Sequence, residues 1–318
     1  MKHKQAVLTI VSAAALLMGA TRPIATVSRT IATELDFSNQ PAPVFRNGYL
    51  VARHKSPLGF SIWDNNNRLI NHQEISLPNA VSVVVLDAAA SSLGAVALIV
   101  SGLDEQRRYN SAILWASVTG PVTRIVAMEG FAPSKIVFAG DGTLWAFGRA
   151  YGPSFEEPAD YDTLRHYDSS GKFIGSTLKR STFQSKSKIS PSTDSFLIMG
   201  GDRVGILSIA ASEWVELTVT GEILGRGPID IPSGSFITGA ALVADKLYVS
   251  QQKAANRATS TLEATELYQL DKTSNQFLEV DSTQVRNGKQ GAVILGVDGE
   301  HLVVRVKPPW ALAWVVVN

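Results

Sequence analysis

The 318-residue chain contains no cysteine. That absence excludes disulfides, thiolate metal sites, a cysteine nucleophile and a lipid-modified cysteine anchor. A charge imbalance is missing too: 29 Lys and Arg meet 28 Asp and Glu, for a formal net charge of +1. Nucleic-acid binders carry a strongly basic face, so no nucleic-acid partner is expected. Familiar catalytic motifs are also absent. There is no Gly-x-Ser-x-Gly elbow and no phosphate-cradling loop ahead of a helix. Gly200-Gly-Asp-Arg-Val-Gly205 is glycine-rich, but strand-like sequence surrounds it. Beyond the first few residues the histidines are His54, His72, His166 and His301, too far apart for a paired-histidine metal motif. Neither a metal nor a cofactor is expected.

What is present begins with an address. Lys2 and Lys4 precede an uncharged, mostly apolar run from Ala6 to Ala20, the layout of a secretory signal peptide. Gly19 and Pro23 flank the cut region, and cleavage after Ala20 or after Ala25 fits. Taken to Ala25, the division is a signal peptide over 1–25 and one domain over 26–318. An uncleaved anchor is the alternative, but Arg22 ends the run short of the roughly 20 apolar residues that span a bilayer. The expected location is secreted or periplasmic, without membrane insertion after cleavage.

The body is a repeat. Short apolar runs separated by turn residues recur, among them Tyr49-Leu-Val-Ala52, Thr143-Leu-Trp-Ala-Phe147 and Lys246-Leu-Tyr-Val249. Each is too short for a helix. Their central residues Leu50, Leu98, Leu144, Leu197, Leu247 and Leu302 recur about every 50 residues, and so do the polar turns Asn65-Asn-Asn67, Val118-Thr-Gly120, Ser169-Ser-Gly171, Val219-Thr-Gly221 and Lys272-Thr-Ser-Asn275. Two independent features with one period predict an all-β fold, a six-bladed β-propeller of four short strands per blade. The expected blades cover 43–77, 79–128, 132–178, 187–231, 235–282 and 290–318. Val204-Gly-Ile-Leu-Ser-Ile209 leaves room for an extra strand in blade four. The last blade lacks an outer strand, and Thr33-Glu-Leu-Asp-Phe37 has the alternation to supply it by pairing with 311–317. That pairing would close the ring and remove a sheet edge.

Lys135-Ile-Val-Phe-Ala-Gly-Asp-Gly-Thr-Leu-Trp145, followed by Leu164-Arg-His-Tyr-Asp-Ser-Ser-Gly-Lys-Phe-Ile174, resembles a unit of the NHL-type six-bladed propellers. The resemblance covers blade three; the other blades share only its spacing. It implies the fold and leaves activity open. Propeller hydrolases and lactonases imply a channel metal held by Glu, Asn and Asp at the inner ends of the first strands. Here those ends carry Phe45, Ser82, Lys135, Ile189, Thr238 and Ala292, none of them an acid, while Asp87, Asp141 and Asp298 are expected in turns at the opposite end.

Long loops on one propeller face are where binding residues concentrate. The stretches 101–110, 148–163 and 250–266 fall on that face. Lysine and arginine gather there, whereas the opposite turns favour Asp, which hairpin chemistry alone also explains. Loop 148–163 mixes aromatics with four carboxylates and matches no EF-hand pattern. The candidate ligand- or partner-binding residues are Arg107, Arg108, Tyr109, Arg149, Tyr151, Phe155, Glu156, Glu157 and Trp310; no catalytic residue stands out. The expectation is an exported, monomeric binding or interaction module for a protein partner, an anionic small molecule or a glycan. The alternative is an extracytoplasmic hydrolase or lyase working at the channel mouth.

Overall fold

The computed structural model describes residues 22–33, 42–77, 80–153, 155–184, 189–253, 265–285, 291–306 and 311–318. Within them the chain is all β, with a single 3-10 turn at Arg180–Thr182. After β1 (Ala25–Ala32), the strands run as successive antiparallel units. Unit one is β2 (Val44–Arg46), β3 (Tyr49–Lys55), β4 (Leu58–Asp64) and β5 (Leu69–Glu74). Unit two is β6 (Ala80–Ala90), β7 (Ala95–Asp104), β8 (Tyr109–Ser117) and β9 (Val122–Ala127). Unit three is β10 (Phe131–Phe138), β11 (Leu144–Ala150), β12 (Asp162–Tyr167) and β13 (Phe173–Lys179). Unit four is β14 (Ser195–Gly200), β15 (Arg203–Ser208), β16 (Glu213–Thr218) and β17 (Ile223–Pro228). Unit five is β18 (Ser235–Val243), β19 (Lys246–Lys253), β20 (Thr265–Asp271) and β21 (Gln276–Glu279). The last unit has three strands in sequence, β22 (Val293–Asp298), β23 (His301–Val306) and β24 (Ala311–Val317). The 204–209 stretch is β15, the ordinary second strand of unit four rather than an addition.

Local chemistry sets these boundaries. Asn47 and Gly48 both have positive φ, 52° and 81°, the conformation a tight hairpin between right-twisted strands demands. At the turn after β12, the Asp168 carboxylate accepts the main-chain N–H groups of Ser170 (2.8 Å) and Lys172 (2.9 Å). The Ser170 hydroxyl and these amides hold Asp168 below the usual carboxylate range. Acids at such turns are therefore structural.

The N-terminal strand pairs antiparallel with β24, from Ala25↔Val317 to Ala32↔Ala311. This corrects the expected register. The pairing strand is 25–32; Thr33 lies outside it, and 34–37 fall outside the described residues. β1 alternates in burial along its length, with Ala25 fully buried, because one face is covered by the core and the other is solvated. The resulting sheet runs β1-β24-β23-β22-β2-β3-β4-β5. Its two halves meet at a single parallel bridge, Phe45↔Gly296. A Cβ on Gly296 would stand 1.8 Å from the Phe45 carbonyl oxygen, so this approach needs glycine.

The first strands of successive units, β2, β6, β10, β14, β18 and β22, each touch the next, and β22 touches β2. Apolar faces interlock between neighbouring units. Val51, Phe60 and Ile62 of unit one pack with Leu98 and Leu114 of unit two. Trp145 and Phe147 of unit three pack with Val204, Ile206 and Val215 of unit four. Tryptophans reach the outer turn of the following unit: Trp115 lies against Gly171, Trp145 against Gly221, and Trp214 Nε1 donates to Asn275 Oδ1 at 2.9 Å. This is a propeller-like arrangement of four-stranded sheets. Among the described residues no helix is long and apolar enough to cross a membrane.

Candidate functional site

The first strands of the units surround a cavity of three chambers. The upper chamber, on the face of the long loops, has a volume of about 560 Å³ and is lined by Leu86, Lys135, Phe196, Ile209, Phe236 and Ile237 among others. The middle chamber is about 100 Å³ and includes Arg46, Arg53, Asp87, Lys135 and Phe196. The lower one, about 230 Å³, opens between the opposite turns and again touches Arg46. Lys135 and Phe196 line both upper chambers, and Arg46 lines both lower ones, so the three follow one another along the strands.

Arg53 is the most unusual residue here. It is only 8% exposed. Its Nη2 donates to the Ala42 carbonyl at 2.9 Å and its Nη1 to the Leu86 carbonyl, but its Nε has no partner. Arg46 donates Nη1 to its neighbour's carbonyl, Phe45 O, at 3.0 Å. Arg46 is half-buried, with part of its surface open to the cavity. Burial lowers the pKa of both guanidiniums from the ordinary arginine value, and the charge of Asp87 pulls the other way. Both remain cations at any physiological pH. Among the described residues no carboxylate lies within salt-bridge distance of either. The ammonium of Lys135 stands 5.8 Å from the centroid of the Phe196 ring.

Asp87 corrects an expectation. It sits inside β6 and lines the middle chamber, not a turn at the opposite end. The apolar run 81–86 reads as a whole strand, but β6 continues through Ala88-Ala-Ala90, and the turn falls at 91–94. Asp87 Oδ2 accepts the main-chain N–H of Ile136 at 3.0 Å, a bond from unit two to unit three. Asp141 does sit in its expected turn, where its carboxylate accepts the Thr143 N–H at 2.9 Å. Asp298 ends β22 and accepts the Trp314 indole N–H at 2.8 Å.

The residues expected on the loops divide into two groups. Tyr109, Tyr151 and Phe155 converge: Tyr151 and Phe155 stack at 5.6 Å, and Tyr109 meets them edge-on at 5.8 and 6.0 Å. Phe155 is 44% exposed at a φ of 64°, a left-handed conformation costly for a bulky side chain. Arg107, Arg149 and Glu156 are exposed nearby in sequence. Arg108 and Glu157, in contrast, are struts. Arg108 Nε bonds Asp104 at 2.9 Å. Glu157 accepts the Tyr161 hydroxyl at 2.6 Å and Arg180 Nε at 2.7 Å, tying loop 148–163 to the segment after β13. Burial and then the Glu157 carboxylate push the Tyr161 hydroxyl well above its ordinary pKa. Trp310 and most of loop 250–266 lie outside the described residues.

No family model matches the chain, and no curated protein matches it. Solved structures do resemble it. A Bacteroides fragilis protein described as exported is 14% identical, with a TM-score of 0.55, covering 93% of this chain and 96% of its own. A member of the duf4221 family from Bacteroides vulgatus is 10% identical, with a TM-score of 0.50 over 93% of this chain and 99% of its own. The Niastella koreensis GH74 enzyme is 14% identical, with a TM-score of 0.50 over 84% of this chain but 41% of its own. At such identity the likeness carries the fold alone.

Sequence reasoning missed Arg46 and Arg53 as site residues. A signal existed: both flank the hairpin of unit one, and residues of a propeller's inner strands are the ones that face the axis.

Proposed function

We propose that the chain is an exported six-bladed propeller, closed where β1 completes the last blade, that binds an anion in its central cavity. The ligand enters from the long-loop face and meets Lys135, then Arg53 and Arg46. The observation that carries this reading is Arg53, a nearly buried guanidinium with an unpartnered Nε, with Asp87 in the same chamber but, among the described residues, no carboxylate within salt-bridge distance. A buried charge without a paired counter-ion is costly even when carbonyls and a more distant carboxylate offset part of it, and a bound anion lowers that cost. Two opposite charges 4 Å apart attract by roughly 4 kcal/mol at the effective dielectric of a protein site. The neighbouring groove of about 330 Å³ beside Leu77, Val83, Leu103 and Asp104 has no lysine or arginine, so it does not compete. The aromatic cluster of Tyr109, Tyr151 and Phe155 forms part of the outer rim of this face. Among the described residues, Asp87 is the carboxylate lining the middle chamber, and its engagement by a main-chain N–H favours binding over a hydrolase or lyase that divides acid and base work between two groups there. The NHL-like segments of blade three and the exported neighbour in solved structures support the architecture and the location.

The test is calorimetric titration with acetate and with inorganic phosphate at low ionic strength, alongside Arg53→Met and Lys135→Met. Saturable binding in the wild type that weakens at least tenfold in each variant is expected. Equal heats in wild type and variants would remove the cavity from the account.

A further inference from the structure

The anion reading leaves the large upper chamber unexplained, because a small ion needs only the middle one. The walls above Lys135 are mixed: an apolar side stands beside Ser134, Ser192, Thr193, Asp194 and Ser195. Leu86, Phe196, Ile209, Phe236 and Ile237 line about 560 Å³, which is within the roughly 300–1,000 Å³ of small-molecule sites. Phe236, which lines this chamber, is 45% exposed. Large side chains left open at a cavity mouth mark a place where apolar surface is covered by something else.

The polar groups of this chamber are mostly spent. Ser134 and Ser195 both donate to the Ser192 carbonyl, at 3.0 and 2.7 Å. Asp194 is exposed on the rim and Lys135 is half-buried at the floor. The charges of the two chambers are Arg46, Arg53 and Lys135 against Asp87 and Asp194. That balance leaves one positive charge, matching a singly charged head. A polyanion would find no further cation among the residues lining the two chambers.

Resting on the anion-binding reading, we infer that the ligand is a single-headed amphiphile: a carboxylate held at Arg53, Arg46 and Lys135, with a linear apolar chain lying against Leu86, Phe196, Ile209, Phe236 and Ile237. The head fixes orientation, and the chain supplies affinity by removing apolar surface of both partners from water.

The experiment titrates the full protein by calorimetry with acetate, butanoate, hexanoate and octanoate, and with 1-octanol as the uncharged partner of octanoate. All ligands stay below their self-association concentrations. Affinity is expected to rise by up to about fourfold per methylene. Octanol is expected to bind at least tenfold more weakly than octanoate. Phe236→Ser is expected to lower the ratio of octanoate to acetate affinity. Affinity that is flat from acetate to octanoate overturns the amphiphile inference and leaves the anion reading standing. Octanol binding as tightly as octanoate overturns the assignment of the charged head. No binding by any of the acids overturns the anion reading itself. Should Phe236→Ser not fold, judged by circular dichroism, Ile237→Thr replaces it, since the chain-length series in the wild type already decides the outcome.

Discussion

Because the chain lacks cysteine, the pairing of β1 with β24 can be locked covalently without competing thiols. Thr26 and Val316 are directly opposite in the register. Opposed residues in antiparallel strands have Cα atoms about 4.5–5.5 Å apart, inside the range a disulfide spans. Thr26 is exposed and Val316 half-buried, so neither cysteine disturbs the core. The double substitution Thr26→Cys and Val316→Cys would close a loop of about 290 residues, for which chain entropy gives about 5–6 kcal/mol of stabilisation as an upper limit. Engineered bridges deliver less, and even half of this raises the melting temperature by roughly 4–5 °C for a protein of this size. The assay is differential scanning calorimetry of the oxidised double variant with and without reductant, with non-reducing electrophoresis to confirm the bridge. A bridge that forms readily and raises Tm only when oxidised supports the register. Failure to form it, with both cysteines reactive in the folded protein, would refute the pairing of 25–32 with 311–317.

Three other outcomes follow from the same structure. Glu213 is 1% exposed and accepts Arg226 Nε at 2.6 Å and the Gln184 N–H at 3.0 Å, so Glu213→Ala should cost about 3–5 kcal/mol in urea unfolding, and a loss under 1 kcal/mol would contradict this pairing. His54, chiefly through burial and then the charge of His72, and His166, through burial opposed by Asp141, have lowered pKa values. The unfolded chain then binds protons more readily, so their contribution is fully present above about pH 6.5 and is lost as pH falls below it; Tm measured from pH 7.5 to 5 should drop, and drop less in His54→Gln. Ala25 donates its N–H to the Asp281 carbonyl at 2.8 Å and Ile24 to the Asn318 carbonyl at 3.0 Å, so intact mass spectrometry of protein recovered from the periplasm or the medium should show cleavage after Ala20, and a product beginning at Thr26 would count against the role of these bonds.

The repeat was legible because successive units place their central leucines and their polar turns at one common spacing of about 50 residues. Strand positions such as β11 around Trp145 and β19 around Leu247 follow directly from the alternation of apolar residues with turns. The N-terminal strand was misplaced for a physical reason. ATVSRTIA has one buried face and one polar face, a bulge between Val27 and Arg29, and a smaller apolar pair, Val27 and Ile31, than the Leu35 and Phe37 of the segment that follows it. Its partner decides its conformation, and the partner is nearly 300 residues away. The cavity was legible in part. Lys135 could be placed at an inner strand end, but Arg46, Arg53 and Asp87 come together from two units, and no spacing within one unit reveals that. The convergence of Tyr109 with Tyr151 and Phe155 was half visible, since both loops were assigned to one face, although their contact depends on how far β7 and β8 extend.

The most direct measurement of the central claim is a crystal structure of the protein soaked in sodium bromide, with anomalous data at the bromine edge. The account predicts a bromide in the middle chamber, among Arg46, Arg53 and Lys135, that is absent in crystals of Arg53→Met. Anomalous peaks confined to the outer loops, with that chamber empty of bromide, would contradict it.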